Sequence, residues 1–199
     1  GDNRPADEFF DTFVVSNAGI LSRALGSTGD DGAAGAVRID AANLSLLTGA
    51  VIDTTTYGGG RGGNIDIDLA GTLLVSGENR SATLSALGMG KDSSGIVAEA
   101  QGFVPGGDAG AVSISAADLS ITAGGRLSTD TYGVGVGGDV DIDVAGRVRV
   151  SGIGAMTGSA ASILSLKTLG AGDGDAGDLR VQAEAIEISD GAAVVSVSR

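Results

Sequence analysis

The chain repeats itself, and an internal repeat limits its possible folds more than any other feature it has. Residues 35–77 (GAVRIDAANLSLLTGAVIDTTTYGGGRGGNIDIDLAGTLLVSG) align without a gap on residues 110–152 (GAVSISAADLSITAGGRLSTDTYGVGVGGDVDIDVAGRVRVSG) at an offset of 75, with 24 of 43 positions identical. Agreement over that length makes the two stretches copies of one structural unit. A partial third copy, GDLRVQAEAIEISDGAAVVSVS from Gly177, matches the second at an offset of 67, and the difference, 75 − 67 = 8, is a change of loop length. A shorter period lies inside the longer one. Gly35, Gly63, Gly110, Gly138 and Gly177 each open a Gly-x-apolar-x-apolar segment, and they stand 28, 47, 28 and 39 residues apart. The basic turn is therefore about 28 residues, lengthened twice by insertions assigned to 88–109 and 152–176. Residues 14–34 read as the tail of a preceding turn, so 14–199 forms one unit of five to six turns behind an N-terminal extension, 1–13.

Within each turn the apolar residues alternate. Val37 and Ile39, then Leu44 and Leu46, then Ile52 mark three short strands broken by glycine or small polar residues. No stretch combines a 3.6-residue apolar spacing with helix caps. Three strands per turn bury their apolar faces only if the chain winds and each turn pairs with the next, so the expected fold is an all-β parallel β-helix. Stacking at about 4.8 Å would place Val37, Ile65, Val112, Val140 and Leu179 in one inward column, and Ile39, Ile67, Ile114, Ile142 and Val181 in the next. Between them an outward column reads Arg38, Asp66, Ser113, Asp141, Arg180, which sets opposite charges side by side at Arg38/Asp66 and Asp141/Arg180. Glycines align as well: Gly49, Gly124 and Gly191 fall between the second and third strands, while Gly58, Gly60, Gly62 and Gly63 match Gly133, Gly135, Gly137 and Gly138. Fixed positions of this kind mark corners or close approach of backbones.

Composition narrows the chemistry. The chain has no His and no Cys, which removes the usual zinc ligands, a Ser-His-Asp relay and a thiol nucleophile. Twelve basic and 25 acidic side chains give a net charge of −13, which repels nucleic acid and anionic membrane surfaces. No apolar run approaches the length of a membrane-spanning helix. The first residues, GDNRPADEFFDTF, lack the basic and apolar regions of a signal peptide, so the chain reads as mature or as a piece of something larger.

Several residues invite a functional reading. Asp139, Asp141 and Asp143, with Asn64, Asp66 and Asp68 in the earlier copy, alternate onto one strand face; they suit either a solvated outer surface or a row of carboxylates for Ca²⁺ or a polysaccharide, and the solvated surface is favoured. Asp173, Asp175 and Asp178 in GAGDGDAGDL resemble a calcium nonapeptide but occur once, where that motif needs repetition, so a polar corner is expected. The GGGRGG cluster lacks the Lys-Ser/Thr of a phosphate loop. A Ser-Lys arrangement would have to use Lys91 or Lys167, and neither sits in a motif. Thr54, Thr56, Thr129 and Thr131 are read as outward and suit a flat water-ordering array or simple strand preference. Phe103, in the first insertion, is either an exposed binding residue or the cover of a loop; Phe9, Phe10 and Phe13 form either a cap over the first turn or an arm for a neighbouring subunit.

The unit G-(D/N/A)-apolar-x-apolar, apolar-x-apolar, GA-x-apolar-x-T-x-T-(Y/F)-G-x-G-x-GG-(D/N) resembles the repeats of filamentous haemagglutinin-like exoproteins, the passengers of bacterial two-partner secretion. The likeness is strongest in GAVIDTTTYGGGRGGNIDID and GGRLSTDTYGVGVGGDVDID and covers roughly residues 14–199; the Asn-Pro-Asn-Gly segment of the family's secretion domain is absent, so the likeness is to the repeat rod. It implies a right-handed β-helix, export from a Gram-negative cell, and a secreted or surface adhesin or fibre role. The expectation is thus a non-enzymatic structural or adhesive rod without cofactor or metal. Its expected partners are further copies stacked end to end or a host or cell-surface ligand; nucleic acid and membrane insertion are not expected. The alternative is a polysaccharide lyase or hydrolase on the same scaffold.

Overall fold

A computed structural model describes residues 13–16, 18–25, 32–78, 93–102, 107–155, 158–166 and 175–198. They form a parallel β-helix with three strands per turn and no helix. β1 (Phe13–Ser16) and β2 (Gly19–Leu21) belong to the first turn. The second is β3 (Val37–Ala41), β4 (Leu44–Leu47) and β5 (Val51–Asp53); the third is β6 (Ile65–Leu69), β7 (Thr72–Ser76) and β8 (Gly95–Val97). β9 (Val112–Ala116), β10 (Asp118–Thr122) and β11 (Arg126–Ser128) follow, then β12 (Val140–Val144), β13 (Arg147–Ser151) and β14 (Ser162–Leu166), then β15 (Leu179–Gln182), β16 (Ala185–Ser189) and β17 (Ala193–Val197). Every third strand pairs in parallel, giving a first sheet β3-β6-β9-β12-β15, a second β1-β4-β7-β10-β13-β16 and a third β2-β5-β8-β11-β14-β17.

Both aliphatic columns of the first sheet stand in the expected register, Val37 to Leu179 and Ile39 to Val181. With Leu44, Leu73, Leu119 and Val148 of the second sheet and Ile52, Ile96, Leu127 and Ile163 of the third they make one continuous core. Full burial of an aliphatic side chain stabilises by about 1.5–3 kcal/mol, and the repeat delivers that gain at every turn. The outward column forms too, but only one of its two expected ion pairs does. Arg180 lies 3.7 Å from Asp141, whereas Arg38 binds Asp40, two residues along its own strand, at 3.1 Å. Same-face neighbours on one strand need no help from the next turn, so the local partner wins. Phe13, expected in the N-terminal extension, opens β1 and pairs with Leu44. Phe9, Phe10 and Phe103 lie outside the described residues.

Corners explain the aligned glycines. A Cβ on Gly63 would collide with the carbonyl oxygen of Gly35, and the same holds for Gly110 against Gly63, Gly138 against Gly110 and Gly177 against Gly138. Between the second and third sheets the chain turns through two left-handed residues, Thr48-Gly49, Ala123-Gly124 and Asp190-Gly191. The other corners use side-chain oxygens. Asn43 and Asp118 accept the amides of Thr72 and Arg147 at 2.8 Å, and Asn64 and Asp139 accept those of Ala111 at 3.1 Å and Asp178 at 2.8 Å. Asn64 and Asp139 are therefore corner ties between turns, not members of an outward strand stripe.

Two further expectations need correction. The segments assigned as insertions each contain a regular strand of the third sheet, β8 within 88–109 and β14 within 152–176. The extra residues leave the third turn between its second and third strands, at Glu78 and Ser93, which are bridged antiparallel, and the equivalent corner at Ile153 and Ala160, two turns on, is bridged in the same way. Thr54, Thr56, Thr129 and Thr131, read as outward, are fully buried. Thr54 and Thr129 donate hydroxyl hydrogen bonds to the carbonyls of Gly63 (2.5 Å) and Gly138 (2.7 Å), tying the third sheet to the glycine corner.

Candidate functional site

The third sheet departs from the pattern of the other two. β5 and β8 are buried on both faces, although β5 ends in a carboxylate. Register carries on beyond the strands through the bridges Ala24 to Thr56, Thr56 to Ala100 and Ala100 to Thr131. Leu21, Asp53, Val97 and Ser128 therefore share one column. Two residues further on, the same register aligns Arg23, Thr55, Glu99 and Asp130, and two beyond those, Tyr57, Gln101 and Tyr132. Period-two alternation turns all three columns to the outer face.

This face concentrates polar groups that water does not reach. Asp53 and Glu99 are both 0% exposed, and Asp130 is buried. Asp53 Oδ2 accepts from Arg23 Nε (3.0 Å) and Nη2 (2.5 Å), while its Oδ1 accepts from the Thr55 amide (2.8 Å). Glu99 Oε1 accepts from Arg126 Nη2 (3.0 Å) and Ser128 Oγ (2.6 Å), and Oε2 accepts from Gln101 Nε2 (2.5 Å). Charges taken out of water persist only when paired and hydrogen-bonded in this way. Thr55, Thr56 and Thr131 keep buried hydroxyls without a partner, as does Arg126 at Nε. Burial pushes the phenols of Tyr57 and Tyr132 up from the ordinary tyrosine range; the carboxylates Asp53 and Glu99 near Tyr57, and Glu99 and Asp130 near Tyr132, push the same way, against Arg23 and Arg126 respectively. Both rings thus stay protonated donors at neutral pH.

The aspartates singled out in the sequence lie elsewhere. Asp66, Asp68, Asp141 and Asp143 are exposed on the first sheet. A shallow groove there is lined by Arg38, Asp66, Asp68, Ser113 and Ser115. Asp175 and Asp178 flank the glycine corner, and Asp178 donates its amide to Asp139. Among the described residues no three acidic side chains converge as a metal site, and no helix is long and apolar enough to cross a membrane. A second groove, between Asp118, Ser120, Arg147, Arg149 and Glu184, mixes charges of both signs.

Sequence reasoning passed over Arg23, Asp53, Glu99, Gln101 and Arg126. A signal was present in the differences between the copies. At the offset of 75, Val51, Asp53 and Thr55 become Arg126, Ser128 and Asp130, so charge changes place at three alternate positions of one strand. Comparison with protein-family models, with curated proteins and with solved structures finds no match for this chain.

Proposed function

We propose that the protein is a non-enzymatic structural or adhesive β-helix of a bacterial surface fibre or extracellular matrix, secreted from a Gram-negative cell and able to stack end to end. The observation that carries the proposal is the stack itself, in which each turn offers the next three parallel strand edges and one continuous aliphatic core. β15, β16 and β17 are the outermost strands of all three sheets at once, and their outer edges are unpaired among the described residues. The core column of β16 ends there half exposed, with Ile186 at 51% and Ile188 at 49%. Open parallel edges around an apolar end accept one more turn, whether continuation of the chain or a second copy supplies it. The chemistry of the interior agrees with a scaffold: Asp53 and Glu99 engage both carboxylate oxygens with fixed donors, which leaves neither poised to move a proton. The likeness to haemagglutinin-type repeats supplies the secreted and adhesive parts of the reading.

Negative-stain microscopy across a concentration series tests it. Rods that lengthen with concentration, and that stay short in an Ile186→Lys/Ile188→Lys variant, are the expected result. Monodisperse short particles at every concentration would overturn end-to-end stacking, and glycan cleavage lost in Glu99→Gln would overturn the non-enzymatic reading.

A further inference from the structure

The outer column Tyr57, Gln101, Tyr132 has a geometry that the rod alone does not require. The three side chains occupy successive turns, so the tyrosines stand about 9.6 Å apart, twice the strand spacing, with an amide between them. All three are partly exposed, whereas the residues just behind them, Thr55, Glu99 and Asp130, are buried. Gln101 is not free to turn: Glu99 holds its Nε2 at 2.5 Å, which presents Oε1 on the opposite side as an acceptor. Behind the column the Thr55 hydroxyl is fully buried and has no partner. Two aromatic rings at a fixed interval, a clamped amide between them and protonated phenols make a linear platform of stacking surfaces and hydrogen-bonding groups.

We infer that this column binds an uncharged polysaccharide chain lying along the rod axis, with Tyr57 and Tyr132 stacking on sugar rings and the Gln101 amide bonding to the hydroxyls between them. Charge selects the class of ligand. Asp53 and Glu99 behind the column are offset by Arg23 and Arg126, which leaves the chain's net charge of −13 to repel uronates, sulfated glycans and nucleic acids. The arginines at hand, Arg23 and Arg126, are engaged by Asp53 and Glu99 and offer no anion a salt bridge. A polymer suits the column better than a small molecule, because the groups are strung along the axis over three turns instead of closing around a cavity. The inference deepens the adhesive part of the proposed function and rests on it.

Affinity electrophoresis of the full chain in gels containing hydroxyethyl cellulose, mixed-linkage β-glucan, dextran or galactomannan, with polygalacturonate and heparin in parallel, tests this. Retardation by at least one neutral polymer and by neither polyanion is expected. Tyr57→Ala and Tyr132→Ala should each weaken it on the order of tenfold, the scale of an aromatic stacking contact. Tyr57→Phe, which keeps the ring, should retain more affinity than Tyr57→Ala, and a melting curve for each variant separates lost binding from lost fold. The inference fails if no neutral polymer retards the protein, if the polyanions do so instead, or if a folded Tyr57→Ala/Tyr132→Ala variant is retarded as before. Concentration-dependent rods without retardation would remove this inference and leave the stacking rod in place; retardation by single short particles would do the reverse.

Discussion

At the residue scale, Glu99 decides how the third sheet holds its charges. Its two oxygens bind Arg126, Ser128 and Gln101, so truncation strands a guanidinium, a hydroxyl and an amide together. Breaking a buried pair by removing one partner costs about 3–5 kcal/mol, and the Arg126 side chain, 23% exposed, places Glu99→Ala toward the lower end. Removing both charges, as in Glu99→Leu/Arg126→Leu, is expected to cost less than Glu99→Ala alone. Urea unfolding of the two variants beside the parent chain checks the order, and a double variant less stable than the single one would refute it. Tyr57 and Tyr132 add a dependence on alkaline pH. Their folded pKa values are raised by burial, so the folded state holds its phenolic protons longer than the unfolded chain. The stability this represents is complete below the unfolded tyrosine value near pH 10 and is lost as pH rises through the folded values. Melting temperature should therefore fall as pH rises above about 10, less steeply in Tyr57→Phe/Tyr132→Phe. Equal slopes would count against the assignment.

At the scale of the element, how much could be read in advance depended on whether a strand keeps one face wet. β6 and β12 alternate as Ile-Asp-Ile-Asp-Leu and Val-Asp-Ile-Asp-Val, and their register, inward columns and exposed aspartates all follow from that alternation. β5 runs into Thr54, Thr55 and Thr56 and is buried on both sides, so its sequence carries no period-two contrast by which to assign a face. That is why the threonines read as outward from sequence, and why nothing in the sequence marks Asp53 as a buried charge. Corners were legible as glycine positions, but their cause, backbone pressed against backbone in the turn below, belongs to the stacked structure. It gives a direct test. Gly138→Ala drives a Cβ into the carbonyl of Gly110, and neither backbone can move without its neighbours in the stack. An overpacking cost of about 1–3 kcal/mol is expected. Gly32→Ala, where an added Cβ meets nothing within 4 Å, should be close to neutral. Thermal unfolding of the two variants decides; equal effects would mean that the glycine column is not set by close approach.

For the molecule as a whole, a rod in which each turn touches only its neighbours should tolerate loss of a whole repeat. Deleting residues 35–109 joins Ala34 to Gly110 and removes one 75-residue unit, so that Gly110 takes the place of Gly35 and β9, β10 and β11 that of β3, β4 and β5. The swap of charges between copies makes the outcome informative. Arg23, which now faces Asp53 and Thr55, would face Ser128 and Asp130, so a carboxylate remains beside it, two residues further along the chain. Arg126 fares differently, because its partner Glu99 lies within the deleted unit and nothing replaces it. Arg126→Val, which restores the residue the first copy carries at Val51, should therefore have opposite signs in the two backgrounds. In the intact chain it leaves Glu99 buried without its cation and destabilises; in the shortened chain it removes an orphaned guanidinium and stabilises. Both proteins should give β-rich circular dichroism, the shorter one as a rod reduced by about 9.6 Å, two strand spacings. Urea midpoints for the four proteins measure the sign directly. A change of the same sign in both backgrounds would show that Arg126 owes its place to packing of its stem and not to Glu99.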